Sequence, residues 1–243
     1  MTEELFRDDA TLLACQATIT AITDAGVELD RSVFYPQGGG QAGDTGRLRR
    51  ADGAVLAISD TRKGATPGQI LHCVAPGTDL SAWAAGLAVT AEIDAQRRQA
   101  HRRFHTATHL LCALVPHPVD GCSITAAYAR LDFHMTEPLD KDTLSAGIAR
   151  LVAGAHAVTQ RWICEAELDA NPGLVRSMSV QPPRGQGRVR LIEVEGVDLQ
   201  PCGGTHVANT AEIGAVVVTK IEKKSARTRR VVLGFGGTLA APD

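Results

Sequence analysis

Residues 92–118 read EIDAQRRQAHRRFHTATHLLCALVPHP, and this stretch divides the chain in two. Asp94 stands where a helix N-cap belongs. Ala100, Phe104, Ala107, Leu111 and Leu114 recur at steps of three and four, and Pro116 and Pro118 end the run. That pattern is one helix of about 20 residues. Ahead of it no comparable helix is legible. The runs 14–22, 26–30, 32–36, 44–50, 54–60, 69–74 and 87–93 are short and strand-like, parted by glycine, proline and aspartate, the rhythm of a small barrel or sandwich. Behind it a second helix is expected within 140–158, with Leu144, Ile148, Leu151 and Val152 inward. Strands are expected at 129–135, 159–166, 188–194, 213–223 and 229–235. The expected fold class is α+β, with a small N-terminal β-barrel domain over 1–92 and a mixed two-layer domain over 93–243.

The composition suits globular domains: of 243 residues 44% are apolar and 21% charged, with aromatics at only 4%, so the cores are built mainly from Leu, Val, Ile and Ala. No run of about 18 apolar residues occurs, which excludes a transmembrane helix. The opening MTEELFRDDA is acidic and lacks the apolar segment of a secretory signal, so a cytoplasmic location is expected. Six cysteines without a CxxC pair read as small buried groups rather than a disulfide framework. The net charge of −2 gives no global attraction to nucleic acid, yet two runs are basic: RRQAHRR (97–103) and KIEKKSARTRR (220–230). Two such runs in a nearly neutral chain fit a local phosphate footprint better than two solvated faces.

His101, His105 and His109 lie four apart and so share one helix face. Spacing admits His101 with His105 or His105 with His109; the charged setting of His101 favours the second pair without deciding it. Far downstream, DLQPCGGTHV (198–207) sets Cys202 four residues before His206, with Gly203 and Gly204 after a proline, a tight loop rather than a helix. Two histidines on a helix and a Cys/His loop supply four N/S ligands, the set zinc prefers. A thermolysin-like HExxH is absent, since Thr106 follows His105. A Cys202 nucleophile with His206 as base is a weaker reading. A purely structural zinc is the serious rival, because four protein ligands close a tetrahedral site.

HTATHLL (105–111), DLQPCGGTHV (198–207) and TAEIG (210–214), in this order, resemble the editing domain of alanyl-tRNA synthetase. FYPQGGGQAGDTG (34–46) resembles the glycine-rich element that precedes that domain. The synthetase's aminoacylation domain has no counterpart here, so the chain is similar to the free-standing alanyl-tRNA editing proteins of the AlaX type, in their medium-length form. The resemblance implies an N-terminal barrel of the translation-protein type and a C-terminal editing domain shared with threonyl- and alanyl-tRNA synthetases. It implies one zinc ion held by His105, His109, Cys202 and His206, with His101 a neighbour on the helix. The implied activity is ATP-independent hydrolysis of the ester joining serine, and also glycine, to tRNA(Ala).

Such a task has a physical basis. A pocket that accepts alanine cannot strongly reject serine, whereas a second site built to hydrogen-bond the hydroxyl prefers it. Thr106, Thr108, Ser123 and Thr125 are the expected hydroxyl-recognising residues. The competing reading is that Thr106 and Thr108 merely pack or back-bond within their helix. Gly38, Gly39, Gly40 and Gln41 are expected at the site entrance, where unobstructed backbone N–H groups would meet the tRNA end; no GK[ST] follows, so this is not a P-loop. Arg102, Arg103, Arg227, Arg229 and Arg230 are expected on the acceptor stem. The basic loop 179–189 is expected to approach the substrate. With four ligands in place, zinc is expected to anchor the substrate while backbone N–H groups polarise the ester. Asp132 and Asp198 are the candidates for a general base. Two other readings stay open: a non-catalytic tRNA-binding zinc protein, and a zinc hydrolase of a small ester.

Overall fold

The computed structural model describes residues 1–175 and 187–236; of the basic loop, 179–186 lie outside the described residues. The chain forms two compact units, Met1–Gly38 with Ala42–Gln99, and Gly39–Gln41 with Ala100–Asp243. The division thus falls inside the long helix, a few residues beyond the expected 92/93, and it assigns three residues of the glycine-rich segment to the second unit.

The first unit contains β1 (Glu3–Glu4), α1 (Leu5–Asp8), β2 (Ala14–Thr23), β3 (Gly26–Leu29), β4 (Arg31–Ser32), β5 (Gly46–Arg49), β6 (Val55–Ile58), β7 (Asp60–Lys63), β8 (Ile70–Cys73) and β9 (Ala88–Ile93). Seven of these strands form one sheet in the order β6-β5-β9-β2-β3-β8-β7. Its hinge is β2, whose first half pairs with β9 and whose second half pairs with β3. Ile19, Leu29, Phe34, Leu48, Leu56, Ile58 and Ala91 form the core. The expected barrel is corrected here: the sheet is open, with no ladder between the end strands β6 and β7. These two are joined through Ser59 alone, whose N–H bonds to Cys73 O at 2.9 Å. One residue is too short for a hairpin reversal, so the strands run on end to end instead of sealing a cylinder. Residues 33–36, expected as strand, form none. The N–H of Phe34 goes to Ser32 Oγ (3.0 Å) and that of Tyr35 to the Asp44 carboxylate (2.7 Å), so side chains replace a ladder.

The long helix α2 (Ala95–Leu114) starts at Asp94, whose carboxylate accepts from the Arg97 N–H at 3.0 Å, and stops before the expected prolines. The second unit continues with β10 (Val119–Ile124), β11 (Ala129–His134), α3 (Lys141–Ala153), β12 (Val158–Cys164), α4 (Glu165–Ala170), β13 (Arg188–Val194), β14 (Asp198–Pro201), β15 (Val216–Ser225) and β16 (Thr228–Phe235). An antiparallel sheet β10-β11-β16-β15 and a smaller sheet β12-β13-β14 result. Leu131, Phe133, Val218, Val231 and Leu233 alternate onto one buried face of the larger sheet. Phe104, Leu110 and Leu111 of α2, with Leu144 and Ile148 of α3, join them in one core. Every residue from 101 to 112 except Arg103 is buried. Helix α2 therefore buries its polar face as well as its apolar stripe, and buried polar groups need partners. No helix among the described residues is long and apolar enough to cross a membrane.

Candidate metal centre

The buried polar face of α2 meets the loop that follows β14. One ligand atom each from His105, His109, Cys202 and His206 lies within 4.8 Å of the other three, so the group could hold a metal ion. Cys202 Sγ stands 3.3 Å from Nε2 of both His105 and His206. His101 is buried but outside this group, so the helix pair that converges with the loop is His105 with His109.

The outer nitrogens are engaged too. His109 Nδ1 lies 2.9 Å from Asp198 Oδ2. A carboxylate only accepts, so Nδ1 carries a proton and Nε2 is the nitrogen left for a metal. His206 Nδ1 lies 3.2 Å from Thr106 Oγ1. That hydroxyl already donates to Arg102 O (3.0 Å) and accepts from Val207 N–H (3.2 Å), so His206 must be the donor. His105 Nδ1 faces Gln41 Oε1 at 2.8 Å. Burial pushes the Cys202 thiol up, but the adjacent His105 and His206 outweigh it and hold the sulfur well below its ordinary value, favouring the thiolate. Burial, with His105 nearby, lowers His206 and keeps it neutral. Burial opposes a charge on His109 as well, yet its hydrogen bond to Asp198 and the Cys202 sulfur lift it to about 9, so without a metal Nε2 also holds a proton, which an incoming ion would displace. Three inward imidazole nitrogens and a thiolate form a donor set that fits zinc.

The loop is held by its carbonyls. Arg190 donates to Cys202 O (3.2 Å) and Gly204 O (2.8 Å). Arg102 donates to His206 O (2.7 Å). Arg103 donates to Ile213 O (2.7 Å) and lies 4.1 Å from the Phe235 ring centre. A Cβ on Gly204 would sit 2.0 Å from Cε1 of His105, so only glycine lets the loop cross that ring. The TAEIG stretch opens with a capping box, Asn209 and Glu212 exchanging bonds around a short 3₁₀ turn.

Several basic residues expected on RNA are committed within their units. Arg97 donates to Gly43 O, and Arg98 pairs with Asp44, both side chains 1% exposed. Arg102 is buried. Arg229 is buried and binds the carbonyls of Ser225, Thr228 and Thr136. Arg230 pairs with Asp132 at 2.7 Å. Lys223, Lys224 and Arg227 are exposed at the β15–β16 turn.

The expected hydroxyl set divides in the same way. Thr106 is enclosed by the three bonds above. Thr125 closes the β10–β11 turn, bonding Tyr128 O and the N–H groups of Ala127 and Tyr128. Thr108 donates to His105 O at 2.7 Å. Ser123 is half-buried on β10. Of the glycine-rich segment, Gly39 is exposed, Gly38 and Gly40 are half-buried and Gln41 is fully buried. Sequence reasoning missed Arg190, Thr205 and the partnership of Asp198 with His109. No spacing signal marks them, because each joins the site from a separate segment.

The family described as "Threonyl and Alanyl tRNA synthetase second additional domain" matches residues 189–232, and that described as "tRNA synthetases class II (A)" matches 8–97. A protein of Methanosarcina barkeri named alanyl-tRNA editing protein AlaX-M is 34% identical over 240 residues, covering 95% of this chain and 98% of its own length. The protein of that name from Saccharolobus solfataricus is 31% identical over 242 residues, covering 95% and 98%. The alanine–tRNA ligase of Methanothermobacter thermautotrophicus is 32% identical over 254 residues, covering 97% of this chain but 26% of the ligase. Similar to the AlaX-M proteins from end to end, the chain belongs to the family of AlaX-M alanyl-tRNA editing proteins.

Proposed function

We propose that the protein is an aminoacyl-tRNA hydrolase, acting in the cytoplasm, that deacylates tRNA(Ala) carrying serine or glycine, with one zinc ion held by His105, His109, Cys202 and His206. The observation that carries this reading is the convergence of those four donors in a chain matched over 95% of its length by proteins named for alanyl-tRNA editing. Held by these four residues, a zinc ion would supply the positive charge that anchors the aminoacyl end.

The rest is the work of the protein's own side chains. Thr108 keeps acceptor capacity after donating to His105 O, and Ser123 lies on β10 beside Cys122. We assign hydroxyl recognition to these two, because the hydroxyls of Thr106 and Thr125 are engaged locally. Serine satisfies such a site, while alanine leaves its polar groups unpaired and is spared. Neither carboxylate suits a general base. Asp198 accepts from His109 and from Gln200 at 2.8 Å. Burial pushes Asp132 up, but Arg230 and Arg130 hold it below the usual range, which makes it a weak base. A water held by nearby polar groups is the attacking group in this scheme; its oxygen bonds to the ester carbon, the bond to the ribose oxygen breaks, and that oxygen takes up the water's proton, while backbone N–H groups polarise the carbonyl. Gly38, Gly39, Lys223, Lys224 and Arg227 are the proposed RNA contacts.

One observation favours a second reading: four protein ligands close a tetrahedral site, as in a tRNA-binding protein with structural zinc. Hydrolysis of Ser-tRNA(Ala) beside Ala-tRNA(Ala), by the zinc-replete protein and by a folded Cys202→Ala variant, separates the two. Release of serine with alanine retained, abolished in the variant, is the expected result. Binding of the tRNA without release of serine would refute the hydrolase and leave the binding protein.

A further inference from the structure

Gln41 stands 64 residues ahead of His105 in the chain yet lies fully buried against it. Its amide can be oriented without ambiguity. The backbone N–H of Thr205, which can only donate, points at Gln41 Oε1 at 3.1 Å, and Gln41 Nε2 donates to Thr205 Oγ1 at 3.0 Å. The atom 2.8 Å from His105 Nδ1 is therefore the oxygen, and Nδ1 must carry the proton that bonds it. Nε2 is left with its lone pair, on the side where Cys202 Sγ lies 3.3 Å away.

The glycine-rich segment is shaped to place this amide. Gly39 and Gly40 have φ of 58° and 86°, the left-handed region that favours glycine. A Cβ on Gly40 would fall 2.7 Å from Cys122 Sγ. With that approach open, Gly40 O accepts from the Ile124 N–H at 2.7 Å and Gln41 forms a parallel bridge with Ile124. The segment is thereby fastened to the inner end of β10. A side chain with no exposure, its amide oxygen and nitrogen both bonded inside the protein, is out of reach of a phosphate.

We infer that Gln41 is a positioning residue of the metal centre, fixing the tautomer and ring plane of His105, and that Gly40 and Gln41 form part of the zinc site's outer shell rather than an RNA contact. The inference rests on the metal reading of the four-residue group. Outer partners of this kind typically change metal affinity by about 10–100-fold.

The test uses the full chain with zinc alone as the probe. Affinity is measured by chelator competition for wild type, Gln41→Leu and Gln41→Glu, with circular dichroism of the metal-free proteins as the folding control. Gln41→Leu should bind zinc at least about 10-fold more weakly. Gln41→Glu, whose carboxylate still accepts from Nδ1, should stay within a few-fold of wild type. An unchanged affinity in Gln41→Leu, or equal losses in both variants, would overturn the positioning role. Wild type that binds no zinc would instead bring down the metal reading itself. Long-range ¹⁵N–¹H correlation spectra of the zinc-loaded wild type give a readout free of any variant. They should place the His105 proton on Nδ1, and a proton on Nε2 overturns the inference.

Discussion

Gly204 shows how one hydrogen atom decides the chemistry. Its Cα passes so near the His105 ring that any side chain would occupy the space of Cε1. Gly204→Ala should therefore push the ring or the loop aside. Zinc content after desalting is expected to fall by more than half, while circular dichroism stays close to wild type; full zinc retention would show that the loop can shift at no cost. The four converging donors were legible as residue types at fourfold spacing, and the family resemblance pointed to the same four. Their outer partners were not. Asp198 was expected as a base and Gln41 as an RNA contact, because a sequence displays what a side chain can do but not which neighbour it meets.

Helix α2 was the most legible element, since its cap, its stripe and its terminating prolines are all local features. Its charges were misread for a physical reason. A run such as RRQAHRR reads as solvated, or as a phosphate footprint, unless the partners are known, and here they are Asp44, Gly43 O, His206 O and Ile213 O. Arg98 with Asp44 is a buried pair that also donates to Ala10 O at 3.1 Å. Removing one member of such a pair leaves the other charged and buried. Arg98→Met should cost about 3–5 kcal/mol in urea denaturation, and a loss below about 1 kcal/mol would show the pair to be dispensable. Strands β10 and β14 escaped the sequence reading. The first contains Gly121 and Ser123, and the second ends at Pro201, so neither shows an uninterrupted alternating run; tertiary pairing overrides weak local preference.

At the scale of the molecule, the near-neutral total charge conceals a sorting of basic residues. Those that carry the fold are buried or paired, and Lys223, Lys224 and Arg227 are left outward at one turn. The triple alanine substitution should reduce the slope of log affinity for tRNA against log salt by about 2–3, close to one for each phosphate no longer neutralised. An unchanged slope would remove this turn from the RNA interface. The sequence by itself determined the α+β class, the helix, the ligand types and the family, because these depend on local periodicity and on motifs that survive in one dimension. Only the tertiary structure decided that the first sheet stays open, that His109 rather than His101 joins His105 in the four-donor group, and that Gln41, Thr106 and Asp198 turn three imidazoles toward one point. Those outcomes depend on strand pairing and on hydrogen bonds between residues tens of positions apart, which no local pattern encodes.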